Sequence, residues 1–195
     1  MVKTIEQRRR VVSESRSPRR RFFDAGMEIL ALKGYGSLKL TTLCRHLGVT
    51  TGSFYHSFEN WQDFTVQFLE AWYHEGTLKI IEMTKAEVDP IHQVEMLLRA
   101  SMSVPHEAEA AIRVWAGINP VVRKFQDDVD SQRLEIVTEA FERLVGDLHL
   151  AARLAKSALY ALIGYEQAGA ARDLEALELL LRSLQDEAIQ IMTRR

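Results

Sequence analysis

The chain has 195 residues, 47% of them hydrophobic, which is enough to bury a core of ordinary size. Its one cysteine, Cys44, excludes an intrachain disulfide and fits a reducing compartment. The formal net charge of −2 hides a split: eleven Lys and Arg against five Asp and Glu in residues 1–60, and fourteen against twenty-two in residues 61–195. A basic head on an acidic body reads either as a polyanion-binding head or as a solvated basic tail. Four prolines, with plentiful Leu, Ala, Glu and Arg, favour helix. No alternating β-branched run is bounded by turn signals, so an all-α fold is expected. Asp24 and Glu28 interrupt the first hydrophobic segment, unlike a signal peptide, and no apolar run nears the roughly 20 residues that span a bilayer. A cytoplasmic protein without a membrane partner is the expectation.

Residues 1–17, with Arg8, Arg9, Arg10 and Arg16, read as a disordered basic arm. Together with Arg19, Arg20 and Arg21, such an arm either enters a minor groove or only adds nonspecific affinity. Ser17-Pro18 is a cap followed by Pro at the first helical position. Phe23, Met27 and Leu30 recur at helical spacing and Gly34 supplies a stop, which predicts a helix over 18–33. The stripe Leu40, Leu43, Cys44 and Leu47, ended by Gly48, predicts a second over 40–47. Thr50 caps a third that runs to about Ser57, with Val49 and Phe54 spaced as a hydrophobic staple. Asn60 caps a long fourth helix, expected to continue unbroken to about Thr84, with Phe64, Phe68, Ala71 and Trp72 along one side. Asp89-Pro90 and Asn119-Pro120 repeat the cap-plus-Pro signal. Further helices are predicted near 90–103, 106–117, 120–145, 150–168 and 173–192, with Gly146 and Gly169 at breaks. The reading is a three-helix head (18–60) and a helical body (61–195), joined by a continuous helix four.

Two short helices joined by Gly48-Val49-Thr50 have the pattern of a helix-turn-helix. The second helix of that motif must offer a small, polar N-terminal face to the major groove, and Thr50, Thr51, Gly52 and Ser53 supply one. Phe54 is expected to point inward. Tyr55 and His56 are expected outside, where a phenol or imidazole reaches phosphate oxygens.

These residues resemble those of a known family. Phe23-Asp24-Ala25-Gly26-Met27-Glu28-Ile29-Leu30, Lys33-Gly34-Tyr35, Leu43-Cys44, Leu47-Gly48-Val49-Thr50 and Gly52-Ser53-Phe54-Tyr55-His56-Ser57-Phe58 together look like the DNA-binding head of the TetR family of bacterial regulators. The stretch from Arg113-Val114-Trp115-Ala116 to Asn119-Pro120 is similar to a pattern in the body of some members. The resemblance implies a homodimeric repressor of a palindromic operator on double-stranded DNA, with a small-molecule effector in the body. It makes Thr50, Thr51, Gly52, Ser53, Tyr55 and His56 the DNA-facing residues. The chain departs from the family pattern at three positions. Lys39 stands where Ser or Thr is usual, Ser57 where His is usual, and Trp61 in place of a phosphate-contacting Lys. Lys39 is therefore added as a compensating DNA contact.

In the body, Trp115, Tyr160, Met102 and Phe125 are candidate effector contacts, the first two because each brings a polar atom to an apolar site; the alternative for each is core packing. Small residues at 151, 155, 158, 161 and 164 and a stripe of Leu174, Leu177, Leu181, Leu184, Ala188 and Ile191 could form a four-helix dimer interface, or bury within one chain. The six histidines lack metal-ligand spacing, so no metal or cofactor is expected. No phosphate-cradling Gly loop, nucleophile elbow or paired carboxylates stand out, so catalysis is not expected. The rival reading is a helical small-molecule carrier or enzyme with no DNA role.

Overall fold

The computed structural model describes residues 17–194. Helix α1 (Pro18–Lys33) is followed by a 3₁₀ turn, then α2 (Leu40–Leu47) and α3 (Thr51–Tyr55). Next come α4 (Trp61–Tyr73), a π-helical turn (His74–Leu78), α5 (Lys79–Lys85), α6 (Pro90–Ser103) and α7 (His106–Ala116). The chain continues through α8 (Pro120–Val145) and α9 (Leu148–Gln167), and α10 (Leu174–Thr193) closes the described part. Among the described residues there is no strand, and no helix is long and apolar enough to cross a membrane. The expected basic arm, with Arg8, Arg9, Arg10 and Arg16, lies outside the described residues apart from Ser17.

The caps act where the sequence puts them. Ser17 accepts from the amide of Arg20, Thr50 from Ser53, Asn60 from Asp63, Asp89 from Ile91 and Asn119 from Val121 and Val122. Each satisfies amides that a helix start leaves without an internal partner. Gly48 ends α2 in the left-handed region (φ 66°), a conformation that costs glycine little and other residues more. That reversal sets the direction of the chain into α3.

One cluster of buried side chains runs from head to body. Phe22, Ile29, Leu43, Phe54, Phe58, Phe64 and Phe68 fill the head and continue into Ala108, Ile112, Trp115 and Val122. Helix α1 packs on α7 accordingly. A second cluster, centred on Ala140, Phe141, Leu144, Ala151 and Leu154, and a third around Leu98, Leu162, Leu177 and Leu181 hold α6, α8, α9 and α10 together. The stripe expected on the last helix falls largely into these clusters: Leu177, Leu181 and Ala188 are buried, and Leu184 and Ile191 pack beside them. The large apolar side chains exposed on this helix are Leu174, Leu179 and Leu180.

Helix four departs from expectation. The helical direction persists from Trp61 to Lys85, but His74–Leu78 form a wider π turn. Such turns insert a residue without breaking the helix and shift the side-chain phase of the downstream segment, here α5. Arg133 on α8 holds this turn from outside: its guanidinium donates to the carbonyl of Gly76 at 3.4 Å and to Oγ1 of Thr77 at 3.2 Å.

Candidate nucleic-acid interface and body cavity

Helix α3 rests on an aromatic platform. Phe54 is fully buried and meets Phe22, Phe58, Phe64 and Trp61 at ring-centroid distances of 5.1 to 6.0 Å. Edge-to-face and tilted contacts of this kind add directional preference to burial. With Phe54 anchored, helical geometry turns the neighbouring side chains outward. Thr50, Thr51, Gly52, Tyr55 and His56 are exposed, and Ser53 is half-buried. Thr50 Oγ1 lies 3.4 Å from both the amide and the hydroxyl of Ser53, which fixes the first turn. A Cβ on Gly52 would meet Thr50 Oγ1 at 3.5 Å, an ordinary contact, so the glycine is not demanded by packing within the chain.

Lys39 is exposed just before α2 and makes no capping bond. Ser57 is buried; its carbonyl accepts from Arg19 Nε at 3.0 Å, and that guanidinium lies over the Phe58 ring at 5.9 Å from its centroid. Arg20 pairs with Asp24 at 3.0 Å and Glu75 at 3.5 Å, and Arg21 Nε is buried. Arg19 thus ties α1 to the turn that follows α3, and Arg20 ties it to the π turn. His46 bonds Glu28 at 2.7 Å, tying α2 to α1. Trp61, half-buried against Phe54 and Phe64, takes part in the platform. Cys44 is buried on the core side of α2, where desolvation pushes its thiol above the ordinary range.

The body contains a cavity of about 110 Å³ between the π turn, α5, α6, α8, α9 and α10. Its wall is aliphatic, with Ile81, Leu98, Ile136, Val137, Leu159 and Leu162 among the contributors; the polar side chains are Thr77, Ser101 and Arg133. None of Trp115, Tyr160, Met102 and Phe125 lines it. Trp115 is buried in the core shared by head and body and stacks on Tyr35 at 4.9 Å with planes 16° apart. Tyr160 is 66% exposed on α9. Met102 packs beside the third cluster and Phe125 beside the first. Residue type points to these four large side chains, whereas the cavity is enclosed mainly by branched aliphatic ones.

Two buried ion networks leave no mark in the sequence. Arg133 donates to Glu109 at 3.0 Å through Nη1, and Glu109 accepts from Trp72 Nε1 at 2.7 Å. Nearby, Arg113 forms a two-pronged bond with Asp130 at 2.7 and 3.0 Å. Glu166, with a fully buried side chain, lies 3.7 Å from His106 Nδ1 and 3.9 Å from Arg113 Nη2. Neither Glu166 oxygen has a hydrogen-bond partner. Burial pushes its carboxyl above the ordinary range, against the pull of His106, Arg133 and Arg113. Among the described residues no group of three or more His, Cys, Asp or Glu is placed to hold a metal ion.

An exposed polar helix on a three-helix head, carried by a helical body with an apolar cavity, is the architecture of one-component helix-turn-helix transcriptional regulators. The particular family comes from the head: residues 22–64 match the family model of bacterial regulatory proteins, tetR family, so the chain carries a TetR-family DNA-binding head. No curated protein matches the sequence. A transcriptional regulator of Rhodococcus sp. Rha1 has the same fold, with a TM-score of 0.72 and 17% identity over 90% of this chain and 97% of its own. A regulator-fold protein of Saccharomonospora viridis in complex with choline gives 0.71 at 13% identity, over 86% of this chain and 95% of its own. The regulator FadR of Bacillus subtilis in complex with stearoyl-CoA gives 0.63 at 16%, over 88% and 97%. At these identities the likeness extends to the fold.

Proposed function

We propose that the chain is a transcriptional repressor that binds a palindromic operator as a homodimer and is released by a small molecule held in the body cavity. The observation that carries the reading is the exposed face of Thr50, Thr51, Gly52, Tyr55 and His56 above the buried Phe54. Hydroxyls and backbone on such a face approach base edges and phosphates closely, while the aromatic platform fixes its angle. Lys39, exposed just before α2, adds charge to the head. Dimerisation is supported by apolar surface on the last two helices: Tyr160, Leu179 and Leu180 are exposed, and a Cβ on the exposed Gly164 would meet nothing within 4 Å. A twofold dimer places two recognition helices about 34–36 Å apart, in successive major grooves.

Release is a matter of linkage. A ligand shifts the equilibrium only by its difference in affinity between the DNA-binding and released states. The cavity wall includes Gly76 and Thr77 of the π turn, which lies on the helical segment running from head to body, so occupancy bears directly on that segment. Two proteins of this fold were solved with a small molecule bound, which supports ligand control.

The test is a gel shift with DNA from upstream of the chain's own gene, paired with a reporter carrying the shifted fragment. The double variant Thr51→Ala, Tyr55→Ala removes two outward-facing side chains, Tyr55 also touching Phe54 edge-on at 5.4 Å, and is expected to lose at least ~10-fold in affinity at an unchanged helical content. Reporter output should rise when the protein is removed. Unchanged operator affinity in the double variant refutes the assignment of the interface, and unchanged reporter output refutes repression.

A further inference from the structure

We propose that the body cavity selects a small, uncharged, largely apolar ligand of about one ring, and that mutual neutralisation of Arg133 and Glu109 keeps either charge from favouring an ion. The inference rests on the cavity being the effector site and adds the chemistry of what enters it.

Each polar group on the wall already has a partner within the chain. Ser101 Oγ donates to the carbonyl of Leu98 at 2.7 Å. Thr77 Oγ1 accepts from Arg133 Nε at 3.2 Å. Arg133 is the charged side chain on the wall, and its guanidinium is engaged by Glu109 at 3.0 and 3.4 Å, by Thr77 and by the Gly76 carbonyl. Glu109 is almost wholly buried behind it and is also held by Trp72. The wall therefore presents a neutralised pair. An anion would have to displace Glu109 from Arg133 and leave a buried carboxylate with one partner fewer. A cation would meet no carboxylate, because Glu109 is covered by Arg133. Both ions also lose their hydration on entering aliphatic surroundings, a cost that an unpaired charge does not recover. A neutral apolar molecule incurs neither cost and gains contact with Leu98, Ile136 and Leu162.

The volume sets the scale of the part of a ligand that the wall surrounds. An apolar cavity of ~150 Å³ takes one benzene. The cavity of about 110 Å³ in this conformation is of the same order, so a single ring fits with small adjustments of Ile81 and Leu159.

The experiment uses the full chain and three probes of one shape: toluene, benzoate and benzylamine. Binding is read by calorimetry and by the rise in Tm, and operator release by gel shift. Toluene is expected to bind at least ~10-fold tighter than either ion. Comparable or tighter binding of benzoate or benzylamine overturns the inference, and so does absence of toluene binding. Two variants then address the ion pair. Glu109→Gln keeps an acceptor for Trp72 but frees the charge of Arg133, so benzoate should gain ~10-fold relative to toluene. Arg133→Met frees Glu109, so benzylamine should gain instead. If either single variant fails to fold, the double variant Glu109→Gln, Arg133→Met, with both charges gone, should retain the preference for toluene. A preference unchanged in the folded single variants, or lost in the double, overturns the role given to the pair. If toluene binds but leaves operator affinity unchanged, the effector reading fails while the ligand class stands.

Discussion

Gly26→Ala sets two effects of similar size against each other. Gly26 lies within α1 and is buried where α1 meets α4. A Cβ there would sit 2.9 Å from Cε2 and 3.3 Å from Cδ2 of Phe68. Carbon atoms prefer separations of about 3.5–4.0 Å, so the ring would have to retreat by roughly half an ångström. It has little room: Phe68 is 1% exposed and stacks on Phe64 at 5.6 Å, with Phe23 at 6.2 Å on another side. Overpacking of this kind costs about 1–3 kcal/mol. Replacing glycine by alanine inside a helix contributes about 1 kcal/mol in the other direction. The crowding should win, giving a net loss of about 1 kcal/mol. Urea denaturation of the full chain, at unchanged slope, measures it. In a Phe68→Leu background the crowding partner is smaller, and Gly26→Ala should become neutral or stabilising. A Gly26→Ala protein as stable as the parent, or a loss that persists beside Leu at position 68, would refute the reasoning.

The exposed and buried charges can be tested in the same way. Lys39→Ala should reduce the slope of log affinity against log salt by about 0.9 per subunit if the side chain contacts one phosphate, without changing stability; an unchanged slope removes Lys39 from the interface. Burial raises the Glu166 carboxyl, so the folded state favours its protonated form. That contribution is complete below the ordinary carboxylate range and is lost as pH rises through the folded value. Glu166→Gln should therefore gain stability over the parent as pH is raised from acid towards neutrality, in Tm measured across pH; a constant difference contradicts this. The Cys44 thiol, desolvated and raised, should react with a disulfide reagent roughly a hundredfold more slowly in the folded protein than in urea, and equal rates would contradict its burial.

The head is legible in the sequence because its signals are local. Ser17, Thr50 and Asn60 are caps whose partners lie three residues away, and Gly48 needs only its own backbone freedom to end α2. Phe54 is turned inward by its position relative to Thr50. The features that sequence does not reveal depend on distant residues. The π turn is held by Arg133, 57 positions beyond Gly76. Glu109 and Glu166 look like ordinary charged helix surface until α8 brings Arg133 against the first and α7 brings His106 against the second. The cavity is bounded by six segments, none of which shows it alone. Trp115 illustrates how residue type misleads: a large ring with a polar atom suits a binding pocket, yet here it stacks on Tyr35 of the head.

That stack bears on attempts to build hybrid regulators by exchanging DNA-reading modules between chains. A graft that takes residues up to 60 would remove Tyr35 from Trp115 and uncover Ile112, so a foreign module would arrive without its seat. A transplant designed from this chain should treat the inner side of α7 as part of the module, re-matching Ala108, Ile112 and Trp115 to whichever first helix is installed.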